Sequence, residues 1–93
     1  MITSFANKET EKLFATGKSK KLPPEIITRS IIRLTQLDSA REVTDLLLPQ
    51  SNRLETLSGD RAGQWSIRIN EQWRICFQFV SGEATHVEIS DYH

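Results

Sequence analysis

Five residues of this chain carry side chains suited to moving protons and holding phosphates: Arg68, Arg74, Asp91, Tyr92 and His93. The arginines lie in "WSIRINEQWRICFQF", and the other three close the chain directly after the alternating "VEIS". Histidine gives and takes protons near neutral pH. Arginine grips phosphate through paired N–H donors and stabilises negative charge as it develops at phosphorus. Tyrosine stacks on an unpaired base, donates a hydrogen bond or orients a nucleophile. Placed together, these groups suit attack of an RNA 2′-hydroxyl on its own phosphate. A terminal histidine alone carries no such meaning, so the elements that position it decide the matter.

The second half of the chain has period two. Strands are expected at residues 53–57, 65–69, 73–79 and 85–90, with turns at "SGD", "NEQ" and "SGE". Trp65, Ile67 and Ile69 share one strand face, with Ser66 and Arg68 on the other. Trp73, Ile75, Phe77 and Phe79 are likewise opposed to Arg74, Cys76 and Gln78. A slip of one residue would turn a whole apolar set toward water, so the pairing has to match these faces.

A three-residue loop at 70–72 pairs residue 69 with 73 and sets Arg68 opposite Arg74. Like charges facing each other cost from a few tenths to ~1 kcal/mol. An anion between them, or a carboxylate beside one of them, removes the conflict. A second three-residue loop at 81–83 sets Phe77 opposite Val87, Ile75 opposite Ile89, Gln78 opposite His86 and Arg74 opposite Ser90. Glu88 and Tyr92 are then diagonal neighbours of Arg74, roughly 7–8 Å away. The terminus is therefore expected beside Arg74.

The first half has helical period. "ITSF" reads as a short strand; Asn7 caps a helix over residues 8–16, anchored by Leu13 and Phe14 and stopped by Gly17. Pro23 and Pro24 open a second helix at about 25–37, whose apolar face is Ile27, Ile31 and Leu34, widened by Ile26 and Leu37. Arg29 and Arg33 fall four apart on its polar side, where a solvated face is the expected reading and a grip on an acidic partner or on a phosphate backbone the alternative. "SAREVTDLLLP" reads as a turn and a short helical piece ending at Pro49. Helices followed by a meander give an α+β domain over residues 1–93, an antiparallel sheet packed on two N-terminal helices.

Twelve basic and twelve acidic residues cancel, so net charge favours no partner class. Every lysine lies within the first 21 residues, and the second half carries only arginines as cations. Arginine is the better residue for planar, two-point contact with phosphate. Cys76 is the only cysteine, which excludes an intrachain disulfide and suits a reducing cytoplasm. Lacking a histidine beside it, Cys76 reads as a small filler of the sheet, and Trp65 and Trp73 read as core. No zinc-type spacing, signal peptide or membrane-length apolar run stands in the sequence, so a soluble cytoplasmic protein is expected.

The pattern "RLETLSGDRAGQWSIRINEQWRICFQF", its closing "DYH" and the opening "MITSF…LFATGKS" resemble the HigB-type toxins of the RelE/ParE superfamily. The resemblance spans essentially the whole chain. It implies the RelE-like microbial RNase fold and a ribosome-dependent endoribonuclease that cuts mRNA in the ribosomal A site. It further implies a HigA-like helix-turn-helix antitoxin, contact with operator DNA only through that antitoxin, and no metal or organic cofactor. Residue by residue, Arg74 matches the family's transition-state arginine, and Asp91, Tyr92 and His93 match its terminal catalytic residues.

Two positions depart from the family pattern. Glu55 stands where well-studied members have a histidine, and a glutamate can serve as base. Ser58 stands where many have a lysine before the "GDR" turn. Without that charge-assisted hydrogen bond the rate falls on the order of 10²-fold, although Arg53 or Arg68 can supply charge nearby. Arg53, Ser58 and Arg68 are accordingly the expected substrate contacts. Ser58 also motivates an alternative, a weakened toxin that mainly binds its antitoxin and tunes operon repression. A gyrase-poisoning role of the ParE kind ranks below both, because "DYH" belongs to the ribonuclease side.

Overall fold

Asn7 starts the first helix as its side chain dictates. Its Oδ1 accepts the amide of Thr10 at 2.8 Å, satisfying a donor that the first turn leaves unpaired. Helix α1 (Lys8–Thr16) ends where Gly17 turns left-handed at φ 74° and donates to the Leu13 carbonyl at 2.8 Å. The computed structural model describes residues 1–92; the expectation for His93 lies outside the described residues.

Helix α2 (Pro24–Ser39) begins on the proline pair and runs two residues past the expected end. Its buried row is Ile26, Ser30, Arg33, Leu34 and Leu37. Ile27 and Ile31 are only half-buried, so the inward face is rotated about one position from the expected one. That rotation corrects the reading of Arg33 as solvated. Arg33 is 5% exposed and donates from Nε to the Arg68 carbonyl at 3.1 Å and from Nη2 to Ser51 Oγ at 3.2 Å. These two hydrogen bonds offset part of the cost of burying the cation, and that burial lowers its pKa.

The expected helical piece before Pro49 is a single 3-10 turn, Val43–Leu47, followed by a second at Gln50–Asn52. Arg53 closes the latter in the left-handed region, φ 47°. A residue so placed cannot continue as strand, so the expected strand at 53–57 shrinks to β1 (Glu55–Thr56). The sheet continues with β2 (Trp65–Arg68), β3 (Trp73–Val80) and β4 (Glu83–Asp91), antiparallel in the order β1-β2-β3-β4.

Between β2 and β3 the register is the expected one, with Ile67 opposite Ile75 and Arg68 opposite Arg74. The loop holds through Asn70, whose Oδ1 accepts the amides of Gln72 and Trp73 at 2.8 and 2.7 Å. Between β3 and β4 two departures cancel. The turn has two residues, Ser81 and Gly82, at φ 53° and 81°, so Val80 pairs with Glu83. Both signs suit the tight hairpin turn that follows strand twist. One residue is restored by a bulge at His86, φ 55°, between the pairs Gln78–Thr85 and Cys76–Glu88. His86 therefore does not face Gln78. Beyond the bulge, Ile75–Ile89 and Arg74–Ser90 pair as expected.

The N-terminal segment runs parallel to β4, bridging Ile2 to Ala84 and Phe5 to Val87. Ser4 Oγ accepts the His86 amide at 2.9 Å, a donor that the bulge withdraws from the ladder. This cover protects the β4 edge, and the opposite edge, β1, has only two residues. Leu13, Ile26, Leu34, Leu37 and Leu46 pack against Ile67, Ile75, Phe77, Val87 and Ile89 to form the core, with Trp65 and Trp73 half-buried at its margin. The helices thus cover one face of the sheet. The polar side chains of β2–β4 are left on the other.

Candidate active site

Alternation puts Ser66, Arg74, Cys76, Glu88 and Ser90 on that second face. Arg74 is only 8% exposed, and its guanidinium is held from below and from the side. Nε donates to Ser66 Oγ at 2.7 Å. Nη2 donates to the Arg53 carbonyl at 2.6 Å and, more distantly, to the Ser66 carbonyl at 3.4 Å. The left-handed turn at Arg53 is what aims that carbonyl. Among the described residues Nη1 has no hydrogen-bond partner.

Glu55, paired across β1–β2 with Ser66, brings Oε2 to 4.0 Å from Arg74 Nη2. That separation is an ion pair without a hydrogen bond, and the Glu55 side chain is 57% exposed. The Arg74 charge is therefore pinned in place by neutral acceptors and only partly balanced. Tyr92 sits over it, its ring centroid 6.0 Å from Arg74 Cζ, at the outer range of a cation–π contact. Burial, with the Cys76 thiol beside it, pushes the Tyr92 phenol above its ordinary value against the pull of Arg61 and Arg74. The phenol is consequently a neutral donor at neutral pH.

Asp91 takes a different position. It pairs with Trp73, so alternation places it on the helix-covered side of the ladder rather than beside Arg74. Its carboxylate accepts Nε2 of Gln72 at 3.1 Å, and the Gln72 carbonyl accepts the Tyr92 amide. Asp91 and Gln72 thereby fasten the end of β4 to the 70–72 loop. Of the two described terminal residues, the fold brings Tyr92 to Arg74.

The three expected substrate-binding residues diverge. Arg53 gives its carbonyl to Arg74 while its exposed side chain lines a neighbouring cleft. Arg68 stands opposite Arg74 in the ladder, yet its Nη2 lies 3.9 Å from Glu71 on the same neighbouring cleft. The two guanidiniums thus escape their conflict because each has its own carboxylate. Ser58 is exposed and precedes the 3-10 turn Gly59–Arg61, which is the "GDR" turn.

Arg61 leaves that turn to lie on the sheet. It donates from Nη2 to Glu88 Oε1 at 2.8 Å and Ser90 Oγ at 3.1 Å, and from Nη1 to Gln64 Oε1 at 3.1 Å. The Glu88 bond raises its pKa further. Cys76 is fully buried beneath this network, and burial raises its thiol pKa, so it stays protonated and inert. Sequence reasoning missed Ser66, although alternation in "WSIRI" already put it on the Arg74 face. It also missed the Arg53 carbonyl, for which a left-handed residue outside glycine leaves no signal.

Comparison with known proteins bears on this geometry. The family model of the RelE-like toxin of the type II toxin–antitoxin system HigB matches residues 3–93. The Endoribonuclease HigB of Proteus vulgaris is 40% identical over 93 residues, covering 100% of both chains. Toxin HigB-1 of Vibrio cholerae serotype O1 is 36% identical over 93 residues, covering 99% of this chain and 98% of the relative. Among solved structures, YafQ from E. coli superposes with a TM-score of 0.65 at 12% identity, covering 98% of this chain and 91% of that one. The YoeB–YefM complex from Staphylococcus aureus gives a TM-score of 0.62 at 17% identity, covering 100% and 95%. At such identities the likeness to solved structures speaks for the fold alone.

Proposed function

The chain belongs to the HigB family of RelE-like toxins of type II toxin–antitoxin systems, and from that premise we propose that it is an endoribonuclease toxin acting on mRNA in the ribosomal A site. The observation that carries the reading is Arg74: a nearly buried, rigidly held guanidinium, one nitrogen of which has no partner among the described residues, flanked by Glu55 and Tyr92. Such a group can hold a phosphate and stabilise negative charge as it develops at phosphorus.

In the proposed reaction the RNA 2′-oxygen bonds to the adjacent phosphorus and the bond to the 5′-oxygen breaks. A 2′,3′-cyclic phosphate and a 5′-hydroxyl result. Arg74 donates to the non-bridging oxygens. Glu55 accepts the 2′-proton, Tyr92 stacks on the splayed base or steers the nucleophile, and His93 returns a proton to the leaving oxygen. Asp91, hydrogen-bonded by Gln72, keeps the terminus in place for this. Arg53, Arg68 and Ser58 face the incoming strand. The ribosome supplies what so small a site lacks, a single strand held with its bases accessible.

The partner proposed for control is a HigA-like helix-turn-helix antitoxin, through which alone operator DNA is reached, and the setting is the cytoplasm. No helix is long and apolar enough to cross a membrane among the described residues. Toeprinting of mRNA on purified ribosomes tests the activity. The wild-type chain is expected to produce a cut in the A-site codon, and Arg74→Ala is expected to abolish it with an unchanged circular dichroism spectrum. Absence of a cut by wild type, or an equal cut by the variant, removes the reading.

A further inference from the structure

Beside the Arg74 pocket lies a cleft of about 270 Å³ walled by three arginines from three separate elements. Arg29 comes from α2, Arg53 from the joint before β1, and Arg68 from the end of β2; Ser51, Asn70 and Glu71 contribute the rest of the polar lining. The hydrogens on this lining define the ligand it can take. Arginine has donors only. Ser51 Oγ is already the acceptor for Arg33 Nη2 at 3.2 Å, which leaves its hydroxyl proton to give. Asn70 Oδ1 is already the acceptor for two backbone amides, which leaves the hydrogens of Nδ2 to give.

Every polar side chain in the cleft except Glu71 is therefore a donor. The Glu71 side chain is 95% exposed, and its 3.9 Å approach to Arg68 is an ion pair too long for a hydrogen bond, so one carboxylate offsets one of the three guanidinium charges and takes up none of their donors. A lining dominated by donors, with three guanidiniums against one carboxylate, matches a ligand that is all acceptor and negative, which is the chemistry of a phosphate.

The cleft is also pre-organised and tied to the Arg74 pocket. Buried Arg33 bonds both the Arg68 carbonyl and Ser51, locking α2, the Gln50–Asn52 turn and β2 into one wall. Arg53 belongs to both places: its carbonyl holds Arg74 and its side chain lines the cleft. We infer that this cleft binds a backbone phosphodiester of RNA next to the one held by Arg74. The identity of the ligand as RNA rests on the ribonuclease reading above, whereas the donor-lined geometry does not. A phosphate of the strand being cut and one of ribosomal RNA share this chemistry, and two arms separate them.

The first arm measures binding of a short fluorescent single-stranded RNA carrying 2′-O-methyl groups, which cannot be cut. The second measures binding to purified ribosomes without mRNA. Arg29→Ala, Arg68→Gln and the double variant are compared with Arg41→Ala, which removes the same charge at an exposed position outside both clefts. The double variant is expected to bind about tenfold more weakly in at least one arm. Its log–log salt slope should fall by about 0.7 for each single-strand phosphate no longer neutralised. Arg41→Ala should leave both quantities unchanged.

A weakening confined to the oligonucleotide assigns the phosphate to the cut strand, and a weakening confined to vacant ribosomes assigns it to ribosomal RNA. Wild-type affinity and slope for the double variant in both arms overturns the inference, as does the absence of salt-dependent binding by wild type. Arg29→Ala alone, on an exposed helix position, keeps the test open should Arg68→Gln not fold. A wild-type chain that binds in this manner but leaves mRNA uncut on ribosomes defeats the nuclease reading and leaves the cleft standing.

Discussion

Ser66→Ala tests how the site works, because it leaves Arg74 in the chain and removes only what aims it. Ser66 is fully buried and its hydroxyl takes Arg74 Nε at 2.7 Å, the shortest hold on the guanidinium apart from the Arg53 carbonyl. Deleting the hydroxyl leaves a nearly buried charged donor without an acceptor, which costs about 1–3 kcal/mol. In a domain of this size each kcal/mol lowers Tm by roughly 4–8 °C, so a fall on the order of 10 °C is expected, read by calorimetry. The chain still folds, and Nη2 keeps its two carbonyl partners. The guanidinium can then pivot about that side, and a misplacement on the order of 1 Å slows the reaction about 10²-fold.

Single-turnover cleavage of mRNA on ribosomes should therefore slow about 10²-fold while ribosome affinity barely moves, since what is lost is the aim of Arg74 at the reacting phosphate and not a contact with the ribosome. Ser66→Thr, which keeps a hydroxyl, should recover most of the rate despite some overpacking. Should Ser66→Ala cleave at the wild-type rate while Arg74→Ala is inactive, the Nε bond does not aim the guanidinium and the reasoning fails.

Two further outcomes follow from single residues. Ser58→Lys restores a positive charge at the exposed position before the Gly59–Arg61 turn, and cleavage on ribosomes should rise on the order of 10²-fold; no cleavage by either form would favour the antitoxin-binding alternative. His86→Gly relieves a left-handed residue at φ 55° in the exposed bulge and should raise stability by about 1 kcal/mol in urea unfolding, whereas His86→Val should lower it.

The β3–β4 hairpin shows where sequence reading is blind in principle. Residues 73–79 and 85–90 carry a period-two pattern that requires the apolar faces to match, and they do match. A three-residue loop meets that requirement. So does a two-residue turn plus a one-residue bulge, and the chain uses the latter. Periodicity constrains the sum of loop and bulge, not its division, because both routes return every side chain to the same face. Positive φ at Ser81 and His86, neither a glycine, left nothing in the composition to choose between them.

The site divides along a similar line. The sequence alone determined helix α1, through the Asn7 cap and the Gly17 stop, and the placement of Arg74 opposite Arg68 with Ser90 behind it, because those depend on local hydrogen bonding and on parity along strands. Tertiary structure alone decided that Arg33 is buried, that the Arg53 carbonyl grips Arg74, and that Asp91 turns from Arg74 while Tyr92 lies over it. Each of these depends on which distant carbonyl, hydroxyl or strand end arrives within about 3 Å of a donor, and adjacency of that kind is written in the packing of α2 on the sheet, not in any spacing along the chain.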